Sequence, residues 1–464
     1  MNVLGVVITD GVGFRNFVLS DFLKESQNQF DSVVIFSCLP NVAFKDFESK
    51  YKVIELDVFK EKFPTWFFRK TKEVAHLQHF ANDFFGIKDN LNAVSTKNLN
   101  FRSIVTQFIL KWTKFFNSEK WIQRYNVLQQ ISFSNHYITK NYIEQLKKEN
   151  INQLFFTHQR PSFIAPLIYA AEKLKIKTSA FIFSWDNLAS KGRMAGNFNN
   201  YLVWSDLMKS ELLYFYKFIN PRNISVVGTP QFEPYVLERY YMSKNEFLMQ
   251  FDLDFLKPII CYSCADSATS KNDNLYIETI AKAILNKKIL KDVILFVRTS
   301  PAEEPTRFKQ LSIDFPFIKW NYPKWILSRE NHQEAWSQRI PSIEDVKDLR
   351  AILNYCDLNI NMCSTMSLDF MLFDKPVINP VFGNLENGLY NDQRFLNFAH
   401  YKNVVESGAV YVAKNENDLI ESINIALQFP LNKHKEQKEL LQLQISKPLE
   451  NTSQRIAESL RNWC

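Results

Sequence analysis

Twice along this 464-residue chain, short runs of β-branched and aromatic residues alternate with stretches of helical periodicity, and that repeat leaves few folds open. The first series predicts strands at Val3 to Ile8, Ser32 to Phe36, Lys52 to Leu56, Gln153 to Thr157, Thr178 to Phe183, Tyr201 to Trp204 and Ile224 to Val227. Helices are expected at Asn16 to Ser26, Ser162 to Leu174 and Ser205 to Phe218. The second series predicts strands at 258–261, 293–298, 317–320, 358–361 and 377–379, with helices at 274–286, 345–355, 364–373 and 415–429. A strand that returns through a helix pairs in parallel, because only a long crossover brings the chain back to the same end of the sheet. The expected fold is therefore α/β: two Rossmann-like parallel-sheet domains facing a cleft, with ligands at the carboxyl ends of the strands.

The boundaries follow from where the alternation pauses. Residues 1–240 form the expected N-terminal domain and 241–464 the C-terminal one. Between about 65 and 150 the strands stop and apolar residues recur at helical spacing, as in Phe101, Ile104, Val105, Phe108, Ile109 and Trp112, which predicts a helical insertion in the first domain. A chain of this length has enough residues for two cores, and 15% aromatic residues with only 10 glycines exclude disordered and collagen-like classes.

The net charge of +7 is unevenly placed, since 15 Lys and Arg face 7 Asp and Glu between residues 60 and 150. That segment is the candidate contact with an anion. Its stretch 101–124 has two readings: an aromatic and basic face lying on an anionic membrane, or aromatics turned to the core with lysines in water. No nucleic-acid module accompanies the charge. Six scattered cysteines read as reduced, and the Cys261-x-x-Cys264 pair lacks the second ligand pair of a zinc site. The start of the chain reads as a strand with no basic leader, and no apolar run reaches membrane-spanning length, so a cytoplasmic location is expected, with the inner face of the membrane as the peripheral option.

The most informative segment is Leu358-Asn-Ile-Asn-Met-Cys-Ser-Thr-Met-Ser-Leu-Asp-Phe-Met-Leu-Phe-Asp-Lys-Pro-Val-Ile-Asn379. A strand ends at Asn361, and Ser364 and Thr365 open a helix whose first-turn N–H groups suit a diphosphate. Asp369 follows Thr365 by one helical turn on the same face, where a carboxylate can accept ribose hydroxyls. This order resembles the donor-binding half of GT-B glycosyltransferases, in which the acid is more often Glu. The segment from His400 to Val410 (HYKNVVESGAV) and the loop from Trp185 to Gly192 (WDNLASKG) are similar to stretches of surface-carbohydrate glycosyltransferases of capsule and O-antigen type. Arg298 at a strand end resembles the Arg-x-x-Pro element of surface-polysaccharide and teichoic-acid-type transferases, and Ser263 occupies a position where such enzymes set a hydroxyl near the diphosphate.

The resemblance implies a sugar moved from a nucleoside-diphosphate donor to a hydroxyl of a glycan or lipid-linked acceptor, with no tightly bound cofactor, and because no Asp-x-Asp motif falls in a plausible cleft position a metal ion is not expected. On the donor side it places Ser263, Arg298, Ser364, Thr365 and Asp369, with Lys191 and Arg193 stabilising the departing phosphate. Three base candidates remain open, namely Asp186, Asp10 and His158, with Gly11, Arg15 and Asn187 on the acceptor side. Rival readings are a nucleotide-sugar epimerase or glycerophosphate-type transferase on the same fold, and a non-catalytic glycan-binding or scaffold subunit.

Overall fold

The structure is a computed structural model and describes residues 2–95, 100–383 and 390–464. Its chain divides into two compact units: Met1–Gln231 together with Gln444–Cys464, and Phe232–Leu443.

The first unit holds a seven-stranded sheet of β1 (Val3–Ile8), β2 (Ser32–Ser37), β3 (Lys52–Glu55), β4 (Gln153–Phe156), β5 (Lys177–Phe181), β6 (Asn200–Val203) and β7 (Ile224–Val226). Their spatial order is β3-β2-β1-β4-β5-β6-β7, and each neighbouring pair is parallel. Strand β1 has no charged residue and is buried throughout, as a central strand covered on both faces must be. A Cβ at Gly5 would lie 2.7 Å from Leu154 Cδ1, so a side chain in the middle of β1 would force Leu154 to move.

Between β3 and β4 lie the helices Phe63–Phe80, Phe85–Ser95, Phe101–Thr113, Glu119–Ser134 and Tyr137–Lys148. They have their own small cores, one around Val74, Ile109 and Leu110 and another around Ala75, Ile122 and Tyr125. Buried Lys72 ties them to the loop before β6, donating to Asn126 Oδ1 and to the Ala195 carbonyl, each at 2.9 Å.

The second unit holds β8 (Ile259–Ser263), β9 (Ile294–Arg298), β10 (Lys319–Asn321), a hairpin of β11 (Trp325–Leu327) with β12 (Arg339–Pro341), then β13 (Leu358–Ile360), β14 (Val377–Pro380) and β15 (Tyr411–Ala413). Six of these form one parallel sheet in the order β10-β9-β8-β13-β14-β15. In both sheets the order of strand addition thus reverses once, between β1 and β4 in the first and between β8 and β13 in the second. At such a switch point the flanking loops splay apart at the carboxyl ends and leave room for a ligand.

Three local departures from the sequence expectations have physical causes. Asp10 starts a helix at once, Gly11–Phe17, by accepting the Gly13 amide at 2.7 Å, so what reads as a loop with a helix from Asn16 is a capped helix followed by a second one, Phe22–Gln29. The β11–β12 hairpin gave no sequence signal because its strands are short and Ile326 is 72% exposed. The last helix, Thr452–Asn462, packs on the helix Phe22–Gln29 of the first unit, although residues 241–464 read as one domain. Ile456 and Leu460, one turn apart, are its buried face, and Arg455 Nε donates to the Val227 carbonyl at 3.1 Å.

Candidate active site

In the first unit the switch point brings Asp10, just past β1, beside His158, just past β4. His158 Nδ1 lies 3.0 Å from Asp10 Oδ2, and both residues are buried. An ionised carboxylate only accepts, so Nδ1 carries the proton and the lone pair of the neutral ring sits on Nε2. Thr9 Oγ1 donates to the same Asp10 oxygen at 2.7 Å, and the Gly13 amide holds the other. Burial raises the Asp10 pKa, but His158, Gly13 and Thr9 outweigh it, and the carboxyl stays below its usual value. Burial is also the largest influence on His158 and lowers its pKa; the pull of Asp10 restores only part of that. The imidazole is therefore neutral and oriented at neutral pH. Its face is fixed by Phe183, stacked at 3.9 Å with an 11° tilt. Gly13 is required here, because a Cβ would lie 2.9 Å from Thr157 Oγ1.

The neighbouring strand ends complete the set. Gln159 spans two loops, accepting the Phe183 amide at 3.1 Å and donating to Asn187 Oδ1 at 3.0 Å. Asn187 donates to Asp186 Oδ1 at 3.1 Å, and Lys191 reaches Asp186 Oδ2 at 3.4 Å. Arg15 and Arg160 are half-buried near the same strand ends; Arg15 bonds the amide oxygen of Asn16 at 3.1 Å. Sequence reasoning passed over Glu211, on the helix after β6, whose carboxyl is pushed up to about 7 by burial and then by the charge of Asp186. No motif surrounds it; only its proximity to Asp186 marks it out.

Arg193 is engaged elsewhere than expected. Its guanidinium grips Glu119 of the helical insertion at 2.9 and 2.5 Å and lies 4.3 Å over the Tyr216 ring, so it fastens the loop of Asp186 to the insertion.

In the second unit, Ser263 ends β8 and the segment Asn361–Thr365 follows β13. Three buried asparagines organise this end. Asn359 Nδ2 donates to Ser263 Oγ at 2.8 Å, Asn361 Nδ2 to Asn359 Oδ1 at 2.7 Å, and Asn379 Nδ2 to the Asn361 carbonyl at 2.8 Å. Tyr401 closes the network, its hydroxyl 2.8 Å from Ser367 Oγ and 2.9 Å from Asn379 Oδ1. The alternating Asn359-Ile360-Asn361 at the end of β13 is the trace of this arrangement in the sequence.

Beyond the network, Cys363 takes a left-handed backbone with φ of 48°, a conformation that costs energy for a side-chain-bearing residue and is concentrated at functional loops. Ser364 Oγ accepts the Met366 amide at 3.2 Å, while Thr365, at the N-cap, makes no side-chain capping bond. The helix itself is short, Met366–Met371, and Asp369 on it accepts the Tyr235 hydroxyl. Arg298 is also committed: it bonds Asn321 and forms a two-point contact with Asp345 at 2.9 and 3.1 Å, with Trp325 Nε1 on the same carboxylate at 2.7 Å. Both members of that ion pair are buried.

No family model matches the sequence, and no curated protein matches it. Solved structures do resemble it. S. aureus MnaA in its UDP co-structure aligns with a TM-score of 0.54 at 9% identity over 100% of this chain and 97% of that one. The UDP-GlcNAc 2-epimerase of Methanocaldococcus jannaschii gives 0.53 at 12% over 100% of both chains. A glycosyltransferase of Rickettsia africae ESF-5 gives 0.51 at 12% over 99% of this chain and 98% of that one. The fold is GT-B-like. At these identities the likeness speaks for the GT-B-like architecture alone, with 3-2-1-4-5-6 strand order in the second sheet and the same order extended by β7 in the first.

Proposed function

We propose that the chain is a nucleotide-sugar enzyme, and specifically a glycosyltransferase that moves a sugar from a nucleoside-diphosphate donor to a hydroxyl of a surface-polysaccharide or lipid-linked acceptor. The observation that carries this reading is the Asp10–His158 pair at a switch point, an oriented neutral imidazole of the kind that accepts a proton from an attacking hydroxyl. The acceptor proton passes to Nε2 as the oxygen attacks the anomeric carbon and the bond from that carbon to the diphosphate oxygen breaks, the nucleoside diphosphate leaving with the electron pair, and Asp10 stabilises the imidazolium that forms. Arg160 supplies positive charge near that proton transfer, with Arg15 on the helix after β1 and Lys191 beside Asp186 as further cations of this end of the sheet. On the second unit the diphosphate is assigned to the strained turn Cys363-Ser364-Thr365, with Ser263 nearby, and the ribose to Asp369 in exchange for the Tyr235 hydroxyl. In this reading Arg298 and Arg193 position their loops and do not touch phosphate.

Epimerisation of the donor is the second reading, favoured by the likeness to the methanocaldococcal UDP-GlcNAc 2-epimerase. In it Glu211, protonated to an appreciable extent at neutral pH, is an acid available beside Asp186. Incubation of purified protein with UDP-, GDP-, CDP- and dTDP-sugars, with and without extracted acceptor glycolipid and followed by NMR, separates the two. A new glycosidic linkage that appears only with acceptor is the expected result. A C2 epimer formed without acceptor selects the second reading, and no thermal stabilisation by any nucleotide sugar rejects both.

A further inference from the structure

The helix Phe101–Thr113 is apolar on two opposite sides. One side is anchored: Ile109 and Leu110 join Val74 in a buried cluster. On the other, Phe101, Ile104, Phe108 and Trp112 are 66%, 66%, 57% and 41% exposed, and Phe115, just past the helix end, is 83% exposed. Their spacing of three and four residues puts all five on one stripe. Of the two orientations the sequence leaves open for this segment, the structure thus exposes this stripe of Phe101, Ile104, Phe108, Trp112 and Phe115, while Phe116 and Trp121 turn inward against the cluster of Ala75, Ile122 and Tyr125. The stripe continues into Phe63, 43% exposed, whose ring lies 5.5 Å from that of Phe101. A contiguous apolar patch of this kind on a surface helix marks an interaction site.

Along the segment that carries the stripe the exposed charge has one sign. Between residues 101 and 131 the basic side chains Arg102, Lys111, Lys114, Lys120 and Arg124 are all exposed, and the sole acid, Glu119, is held by Arg193. We propose that this face docks on an anionic lipid bilayer, the helix lying flat with its aromatic rings at the acyl boundary and its basic groups among the headgroups. A second copy of the chain fits less well, since symmetric pairing sets the same basic groups against each other. No helix among the described residues is long and apolar enough to cross a membrane, so the contact is peripheral. This inference is independent of the nucleotide-sugar reading, because it is tested without substrate.

The test is co-sedimentation of the full chain with phosphatidylcholine vesicles, with and without phosphatidylglycerol, at low and high salt. The expected result is binding to the anionic vesicles that salt weakens. Two variant pairs, Phe108→Ser with Phe115→Ser and Lys111→Glu with Lys114→Glu, each lower partitioning by about tenfold or more. All four positions are exposed, so unchanged circular dichroism and thermal midpoint are expected, and brominated lipid should quench the wild type more than Trp112→Phe. Equal retention on both vesicle types, or variants that bind as the wild type does, overturns the proposal. So does a concentration-dependent dimer in sedimentation velocity that the phenylalanine variants abolish, which would assign the face to a second copy.

Discussion

The carboxylate of Asp10 and the imidazole of His158, 148 residues apart in sequence, meet at 3.0 Å at the switch point where the strand order of the first sheet reverses. Asp10 both caps a helix and fixes a histidine tautomer, so its two oxygens have separate jobs.

Asp10→Asn divides these jobs. The amide oxygen can still accept the Gly13 N–H, but the amide NH2 cannot accept from Nδ1, and the ring is driven to the wrong tautomer. The expected result is a fall in kcat on the order of a thousandfold with KM little changed and the thermal midpoint nearly preserved. A variant that keeps wild-type kcat removes His158 from the reaction.

The pH profile follows from the same pair. Burial first of all lowers the His158 pKa from its ordinary 6.5, and a base works only when neutral. The acid limb of kcat/KM should therefore have its midpoint below 6.5, with activity lost as the pH falls through it. A midpoint above the ordinary histidine value contradicts the assignment.

Lys72 predicts a pH dependence of stability. Burial is the main influence that brings its pKa down to about 7 from 10.5. Between those values the unfolded chain holds a proton that the folded chain has released, so unfolding free energy rises with pH. The contribution is complete above 10.5 and is lost as the pH falls through about 7. Urea midpoints should climb from pH 7 to 9 in the wild type, and the climb should be shallower in Lys72→Met. Parallel profiles in the two proteins would refute this account.

Arg298 is expected to matter for folding before it matters for ligand. Arg298→Gln strands the Asp345 carboxylate in a buried site, at a cost of about 3–5 kcal/mol. Urea unfolding of the second unit reads the loss directly. If stability is unchanged while nucleotide binding collapses, the guanidinium contacts phosphate after all.

Much of the architecture is legible before any coordinates. Strands such as β1 and β8 are continuous apolar runs, which is what burial on both faces of a parallel sheet demands, and the helices between them follow from the 3.6-residue period. The residues that close the candidate sites are not legible in the same way. Ser364, Thr365 and Asp369 stand out by type and spacing, yet nothing near them in sequence announces Tyr235 as the partner of Asp369. Arg298 reads as a strand-end cation, and only the packing of the helix Ile343–Tyr355 reveals the carboxylate that claims it. Arg193 is similar, because Glu119 lies 74 residues earlier, in the helical insertion.

What the sequence determined by itself is the set of elements and their parallel alternation, since these depend on side-chain patterns within a few residues of one another. Tertiary structure alone decided which of three base candidates is paired with a carboxylate, which arginines are already occupied, and which side of the helix Phe101–Thr113 meets water. The reason is physical: short-range periodicity is written in neighbours along the chain, whereas ion pairs, hydrogen-bond networks and exposure are set by segments that meet only after the sheets have formed.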